Sequence, residues 1–221
     1  MFYTFRIERE APKNKGERDH VPYDFDYQHP HAEAQLDNDH FPDFEPRFSK
    51  IILTKRSRLV DLIKDGAIGG YGFLISPRLK GVLENFRLPP TRFYPVVVSH
   101  QQAEHDYYWM QNLPEDNLHW IDFGGSVFID QGNSYDPDAG AEARFPDATA
   151  FRAAHESYTA LYPIKMRNLV LNERYTNDPL DFFYFRQMLF GAAISVRLKN
   201  ALEKERITGL EEFIPLPITK A

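Results

Sequence analysis

The chain has 221 residues, of which 43% are hydrophobic and 14% aromatic, and its formal net charge is −6. This apolar content is enough for a packed core and excludes an intrinsically disordered chain. The sequence contains no cysteine, which excludes disulfides, cysteine-ligated metals and cysteine nucleophiles within it. Charge appears by Arg6, and no apolar stretch approaches the roughly 18 residues that span a bilayer. We therefore expect a cytoplasmic protein with no signal peptide and no membrane partner.

Acidic residues concentrate in two stretches that contain neither lysine nor arginine. The stretch Asp19–Pro46 holds eight carboxylates and the stretch Phe93–Ala143 holds nine. Because the chain has no uniform basic footprint, we do not expect it to bind nucleic acid. The two stretches are either solvated loops or surfaces that meet a basic partner.

The first 49 residues are predicted to form an acidic arm that packs on a body made of residues 50–221. Phe2–Ile7 has the pattern of a short strand. The segment after it is polar and interrupted by prolines such as Pro22 and Pro42, which favours irregular structure. Aromatic side chains spread along this segment would hold it against the body.

An internal repeat organises the body. Ile75–Glu84 and Ile194–Glu203 share seven identical residues in ten aligned positions. Similarity on both sides extends the repeated module to about residues 50–98 and 168–217. Each copy is predicted to run strand, variable connection, helix, strand.

The helix of each copy begins at a serine. Ser76 and Ser195 stand where an N-cap hydroxyl accepts a bond from an unpaired N–H, and Pro77 suits the first helical position. Leucines then recur at helical spacing, which predicts one buried face. The strand after each helix contains a proline, Pro95 or Pro215, so we expect an edge strand or a bulge there.

Short aromatic segments lie between the two modules. Tyr107–Met110 and His119–Phe123 are predicted to be strands joined by a turn at Pro114–Asn117. Ser126–Asp130 continues as a hairpin partner, and Thr149–Tyr162 has the spacing of a helix. The sequence thus predicts a mixed α+β protein with two duplicated strand–helix–strand modules, central antiparallel strands and an irregular N-terminal arm.

Few residues indicate catalysis or metal binding. His29, His31 and His40 lie near carboxylates in the arm and could form a metal cluster, although such groups are ordinary in an acidic loop. His100, His105 and His119 flank the central strands, where they could act in acid–base catalysis with neighbouring carboxylates. The spacing singles out no catalytic pair, and we predict neither a cofactor nor a resident metal.

Five motifs follow one another along roughly residues 50–217: Ile75–Lys80, Phe93–Val96, Tyr107–Leu113, Ile121–Phe123 followed by Ser126, and Ile194–Lys199. In this order they resemble a bacterial family of unknown function that genome context groups with the immunity proteins of polymorphic toxin systems. The resemblance implies a non-enzymatic protein that binds and blocks a toxin, and it carries over no catalytic residue.

The resemblance and the acidic stretches together suggest a surface for a basic toxin domain. Charge would speed association, and a few buried aromatic anchors would hold the complex. The candidate partner-binding residues are Glu104, Asp106, Tyr108, Trp109, Glu115, Asp116 and Trp120. The alternatives are an enzyme that uses the histidines and carboxylates of the central strands, or a scaffold protein.

Overall fold

The computed structural model describes residues 1–7, 25–54, 57–63, 68, 72–113, 116–134, 136, 139–160, 163–185, 188 and 192–221. Within them the protein is mixed α+β and mostly sheet, as the sequence predicts. The helices are α1 (Pro77–Leu83), α2 (Ala148–Glu156), α3 (Glu173–Asn177) and α4 (Val196–Lys204). The strands are β1 (Phe2–Ile7), β2 (Ile51–Ile52), β3 (Leu62–Ile63), β4 (Gly72–Ile75), β5 (Thr91–His100), β6 (Ala103–Asn112), β7 (Val127–Asp130), β8 (Ala141–Ala143), β9 (Ile164–Leu171), β10 (Phe182–Tyr184), β11 (Ala192–Ser195), β12 (Leu210–Leu216) and β13 (Ile218–Lys220).

The described strands form three sheets. A five-stranded sheet has the order β2-β5-β6-β4-β3, and two four-stranded sheets have the orders β13-β9-β7-β8 and β10-β11-β1-β12. The edge position of β12 confirms the expectation for its proline. Strand β2 pairs with β5 only at Val98 and Ser99. Within the described residues, no strand pairs with this edge of β5 at Pro95.

The chain divides into two compact units, and each has its own core. Unit 1 comprises Met1–Thr4, Glu115–Val196 and Ile214–Ala221, and it contains an aromatic cluster around Trp120, Phe151 and Phe183. Unit 2 comprises Phe5–Pro114 and Arg197–Phe213, and its core includes Leu74, Val96 and Trp109. The described residues of the arm from Phe25 onward belong to unit 2.

Both predicted helix-start serines make the same pair of hydrogen bonds. The Ser76 hydroxyl donates to Asp61 Oδ1 and the Ser195 hydroxyl to Asp181 Oδ1, each at 2.7 Å. Each serine N–H also donates to the carbonyl of the same aspartate, at 2.8 Å in both cases. Ser76 Oγ accepts the Leu79 N–H, which confirms it as the N-cap of α1. These matched contacts support the duplication, which itself stays a prediction.

Two predictions about the middle of the chain are wrong. Residues 117–120 form a turn of 3-10 helix rather than the start of a strand, because the Asp116 carboxylate accepts the Leu118 N–H. The second wrong prediction is that Tyr107–Met110, His119–Phe123 and Ser126–Asp130 are successive hairpin partners. Instead, β6 pairs with β5 and β4, and β7 pairs with β8 and β9. The aromatic run Phe182–Phe185 contains the strand β10.

No helix in the described part of the chain is long and apolar enough to cross a membrane.

Candidate functional site

The hairpin formed by β5 and β6 in unit 2 has two different faces. The strands pair antiparallel from Thr91 opposite Asn112 to His100 opposite Ala103. Side chains alternate between the faces of a sheet, so each strand contributes every second residue to one face. One face carries the buried side chains Val96 and Trp109, which belong to the core of unit 2.

Toward the tip, the opposite face of the hairpin is open and combines apolar with acidic side chains, whereas Met110 and Asn112 farther along the same face are buried. We call it the hairpin surface and define it as Pro95, Val97, Glu104, Asp106 and Tyr108. Pro95 lies opposite Tyr108, and Val97 lies opposite Asp106. Pro95, Glu104 and Asp106 are exposed, Tyr108 is half-buried, and the Val97 side chain is 44% exposed. An apolar strip on β5 therefore runs beside two carboxylates on β6.

The hairpin surface carries two carboxylates, and one of them is paired with a lysine. Lys50 Nζ donates to Glu104 Oε1 at 2.7 Å, and this hydrogen bond and charge lower the pKa of the Glu104 carboxyl. Among the described residues, no ion pair involves Asp106, so its charge faces solvent. At the other end of the surface, Lys80 Nζ of α1 lies 5.3 Å from the centroid of the Tyr108 ring.

The tip of the hairpin is a two-residue turn with unusual backbone angles. Gln101 and Gln102 have φ values of 50° and 69°, and both side chains are exposed. Two consecutive left-handed residues match the twist of a two-residue hairpin, but glycine, asparagine and aspartate are the residues that favour this conformation. Strain of this kind is often retained at functional surfaces.

Three of the predicted partner-binding residues lie together on the hairpin surface, namely Glu104, Asp106 and Tyr108. The two tryptophans do not, and the prediction that they are surface anchors is wrong. Trp109 is 1% exposed and Trp120 is 6% exposed. The Trp109 ring occupies the space that a side chain at residue 72 would take, where the chain has glycine. Trp120 packs edge-on against Tyr175 and Phe183.

The two remaining predicted residues are Asp116 and Glu115. Asp116 is exposed and forms an ion pair with Arg152 in addition to capping the 3-10 turn. Glu115 lies outside the described residues.

The structure describes all three histidines of the enzymatic alternative. His100 and His105 are half-buried near the tip of the hairpin, on the face opposite the hairpin surface. His119 belongs to unit 1, where its Nδ1 lies 2.7 Å from the Asp116 carbonyl oxygen. Within the described residues, no hydrogen bond joins any of the three to a carboxylate.

The arm histidines are used in local packing. His29 Nδ1 accepts the N–H of His31, and the His31 ring stacks on Phe44 with centroids 4.9 Å apart. His40 Nδ1 lies 3.9 Å from Asp37 Oδ2. No group of three or more histidine and carboxylate side chains in the described ranges is arranged to hold a metal ion.

Sequence reasoning did not identify Pro95 and Val97 as surface residues. The run Val96–Val98 reads as a buried strand, because three consecutive valines obscure the alternation of its two faces. The pattern that indicates this face lies on the partner strand β6, where Glu104, Asp106 and Tyr108 stand at every second position.

The chain matches no protein-family model and no curated protein. What the family resemblance implies is therefore carried forward only as a proposal.

Proposed function

We propose that this chain is a non-enzymatic protein-binding module that neutralises a basic bacterial toxin, as immunity proteins do. Its hairpin surface meets the toxin, and the protein acts in the cytoplasm. The observation that carries the proposal is the exposed strip of Pro95 and Val97 beside the carboxylates of Glu104 and Asp106.

The arrangement suits a complex in which charge and apolar contact have separate roles. Asp106 attracts a basic partner over distances near the Debye length and increases the association rate, and Glu104 adds to this less strongly because Lys50 already pairs with it. Val97 and Tyr108 then lose water on contact and slow dissociation. A toxin that acts on nucleic acid needs a basic cleft, and carboxylates placed in that cleft exclude the phosphate backbone.

In the test, a toxin domain encoded by a gene next to the gene of this chain is co-expressed with the chain, and the two are then purified. We expect the wild-type chain to restore growth and to bind the toxin domain at submicromolar concentration. The double substitution Glu104→Lys and Asp106→Lys should weaken binding by roughly a hundredfold, mainly by slowing association. Absence of a complex at micromolar concentration would overturn the proposal.

A matched control separates the hairpin surface from net charge. Glu205→Lys with Glu211→Lys changes the net charge of the chain by the same amount at two exposed positions of unit 2. This control should bind like the wild type. Equal losses in the two double variants would show that bulk charge, and not the hairpin surface, determines binding.

A further inference from the structure

One edge of strand β6 is uncovered over half of its length. Strand β4 pairs with β6 only at Tyr108–Gln111. Along Ala103–Tyr107, β6 pairs with β5 on one edge, and among the described residues no strand pairs with the other edge. Ala103, Glu104 and Asp106 are exposed to solvent. We call the uncovered edge of β6 at residues 103–106 the open edge.

The register of the hairpin shows which backbone groups the open edge presents. The turn has two residues, so the residues that flank it form a hydrogen-bonded pair, and bonded pairs then alternate along the antiparallel strands. In agreement, the Leu113 N–H just beyond β6 donates to the Pro90 carbonyl at 3.0 Å. The odd-numbered residues of β6 therefore bond to β5. Glu104 and Asp106 direct their N–H and C=O groups outward, at the open edge.

These outward groups have no partner in the described part of the chain. No hydrogen bond there reaches the outward N–H or C=O of Glu104 or Asp106. An exposed edge of this kind is the template on which an extended segment of another polypeptide adds as a strand. Main-chain hydrogen bonds hold such a segment, and its alternate side chains give specificity.

The side chains of the open edge select the strand that can add. Directly opposite residues of an antiparallel pair place their side chains on the same face, so two side chains of an added strand lie beside Glu104 and Asp106. A second copy of this edge, paired around His105, would put carboxylate opposite carboxylate, which is destabilising. A strand with lysine or arginine at these two positions forms ion pairs instead. The charges therefore reject self-association and admit a basic strand.

We propose that the open edge binds an extended basic segment of the toxin, which adds antiparallel to β6 beyond the end of β4. Antiparallel pairing is more stable per residue than parallel pairing, and it is the direction that β4 already takes on this edge. Glu104 and Asp106 each exchange main-chain hydrogen bonds with a basic residue of the segment. Asp106 supplies the stronger ion pair, since Lys50 already pairs with Glu104. This contact is part of the proposed function and rests on it for the identity of the partner.

A peptide tests the open edge without the toxin. The full chain is titrated with acetyl-Val-Lys-Val-Lys-Val-amide, whose lysines lie opposite Asp106 and Glu104 in the proposed register, and amide hydrogen exchange is followed by NMR. We expect a dissociation constant on the order of 1 mM, because a few exposed hydrogen bonds and ion pairs hold a flexible peptide. With peptide at about ten times that constant, exchange of the Glu104 and Asp106 amides should slow by about tenfold. The His105 amide, which bonds to β5, should keep its rate, and unchanged exchange at Glu104 and Asp106 would overturn the proposal.

Two methylated peptides separate main-chain pairing from charge. N-methylation of both lysines replaces the N–H groups that face β6 and should weaken binding by at least about tenfold. N-methylation of the second and third valines keeps the same charge and alters only N–H groups that face away from β6, so it should change affinity by less than about twofold. Equal affinities of the two methylated peptides would show that charge alone attracts the peptide and that no strand is added.

A pair of variants makes the same distinction on the chain itself. Glu104→Pro removes the outward N–H together with the carboxylate, and proline is tolerated at the edge of a sheet. Glu104→Gln removes the charge and keeps the N–H. We expect the proline variant to bind the unmethylated peptide at least about fivefold more weakly than the glutamine variant. Equal binding by the two would contradict main-chain pairing, and if the proline variant does not fold, the methylated peptides decide.

The toxin complex separates this contact from the proposed function as a whole. In the complex, exchange of the Glu104 and Asp106 amides should slow by at least about tenfold relative to the free chain. A complex that forms without this protection would overturn the contact at the open edge and leave the proposed function standing. If no complex forms but the peptide binds as expected, the proposed function is wrong and the open edge still accepts a basic strand.

Discussion

The Ser76 hydroxyl donates a 2.7 Å hydrogen bond to Asp61 Oδ1 at the start of α1. The pair Ser195–Asp181 repeats this bond at the same distance where α4 begins. Asp61 and Asp181 stand directly before the short strands β3 and β10. Ser76 follows β4, which pairs with β3, and Ser195 is the last residue of β11, which pairs with β10. The sequence shows the serines at matching positions, but only the tertiary structure shows that each has an aspartate partner.

Substitution of either serine should destabilise the protein. Ser76→Ala removes both the cap of α1 and the hydrogen bond to a buried carboxylate, so we expect a loss of about 1–3 kcal/mol in the free energy of unfolding. Ser195→Ala removes the equivalent bond and should cost about 1–2 kcal/mol. Urea denaturation measures both effects. Ser99→Ala, at a half-buried serine of β5, is the control and should change stability by less than about 0.5 kcal/mol.

Residue 72 is predicted to tolerate only glycine, because the Trp109 ring fills the space of a side chain there. A Cβ at residue 72 would lie 2.5 Å from the Met110 carbonyl oxygen and from Trp109 Cζ2. Because one of these atoms is backbone, Gly72→Ala should destabilise the protein by about 1–3 kcal/mol in chemical denaturation. Gly81→Ala is the matched control, since a Cβ there meets nothing within 4 Å and helix propensity favours alanine by about 1 kcal/mol. Equal effects of the two substitutions would contradict the steric explanation.

Tyr107 should make the protein sensitive to alkaline pH. Its hydroxyl donates to the Val60 carbonyl at 2.7 Å, and burial together with the charge of Asp61 raises the pKa of Tyr107 to about 12. In the unfolded chain the same phenol has the ordinary tyrosine pKa of about 10. The neutral form is favoured in the folded state, so its stabilisation is complete below about pH 10 and is lost as pH rises toward about 12. The loss should approach about 1.4 kcal/mol per pH unit in that window.

The substitution Tyr107→Phe tests this pH dependence. We expect the variant to be about 1 kcal/mol less stable than the wild type near pH 8, because the hydrogen bond to Val60 is lost. Between about pH 10 and 12 the stability of the variant should fall less steeply, so that the two curves converge and then cross, because the loss from Tyr107 over this window exceeds about 1 kcal/mol. Urea midpoints measured across this range give the comparison, and Tyr3→Phe controls for loss of an exposed hydroxyl. Parallel curves would mean that Tyr107 does not cause the loss of stability at alkaline pH.

The hairpin tip offers a route to a more stable protein. Replacing Gln101–Gln102 with Asn-Gly puts residues that tolerate left-handed angles at φ values of 50° and 69°. We expect the free energy of unfolding to rise by about 1 kcal/mol, since each strained L-residue costs about 1–2 kcal/mol and the greater chain entropy of unfolded glycine offsets part of the gain. Thermal unfolding measures the gain. A lower melting temperature would mean that the glutamine side chains make stabilising contacts.

The sequence by itself determined the α+β class, the start of α1 at Ser76 and the strand character of β1, β5 and β6. These features depend on local chemistry, namely a cap hydroxyl, the proline after it and the alternation of side chains along a strand. The tip of the hairpin could not be predicted, because Gln101–Gln102 contains no residue that favours a turn.

Only the tertiary structure decided which aromatic residues are exposed and which carboxylates lie together. Trp109 and Trp120 are buried because each fills space between elements distant in sequence, which no local pattern records. The same is true of Val97, whose exposure depends on which face of β5 the core of unit 2 covers. Burial depends on long-range packing, whereas caps and strand alternation depend on neighbouring residues. For this reason the fold class and the polar residues of the hairpin surface were accessible from the sequence, and its apolar residues Pro95 and Val97 were not.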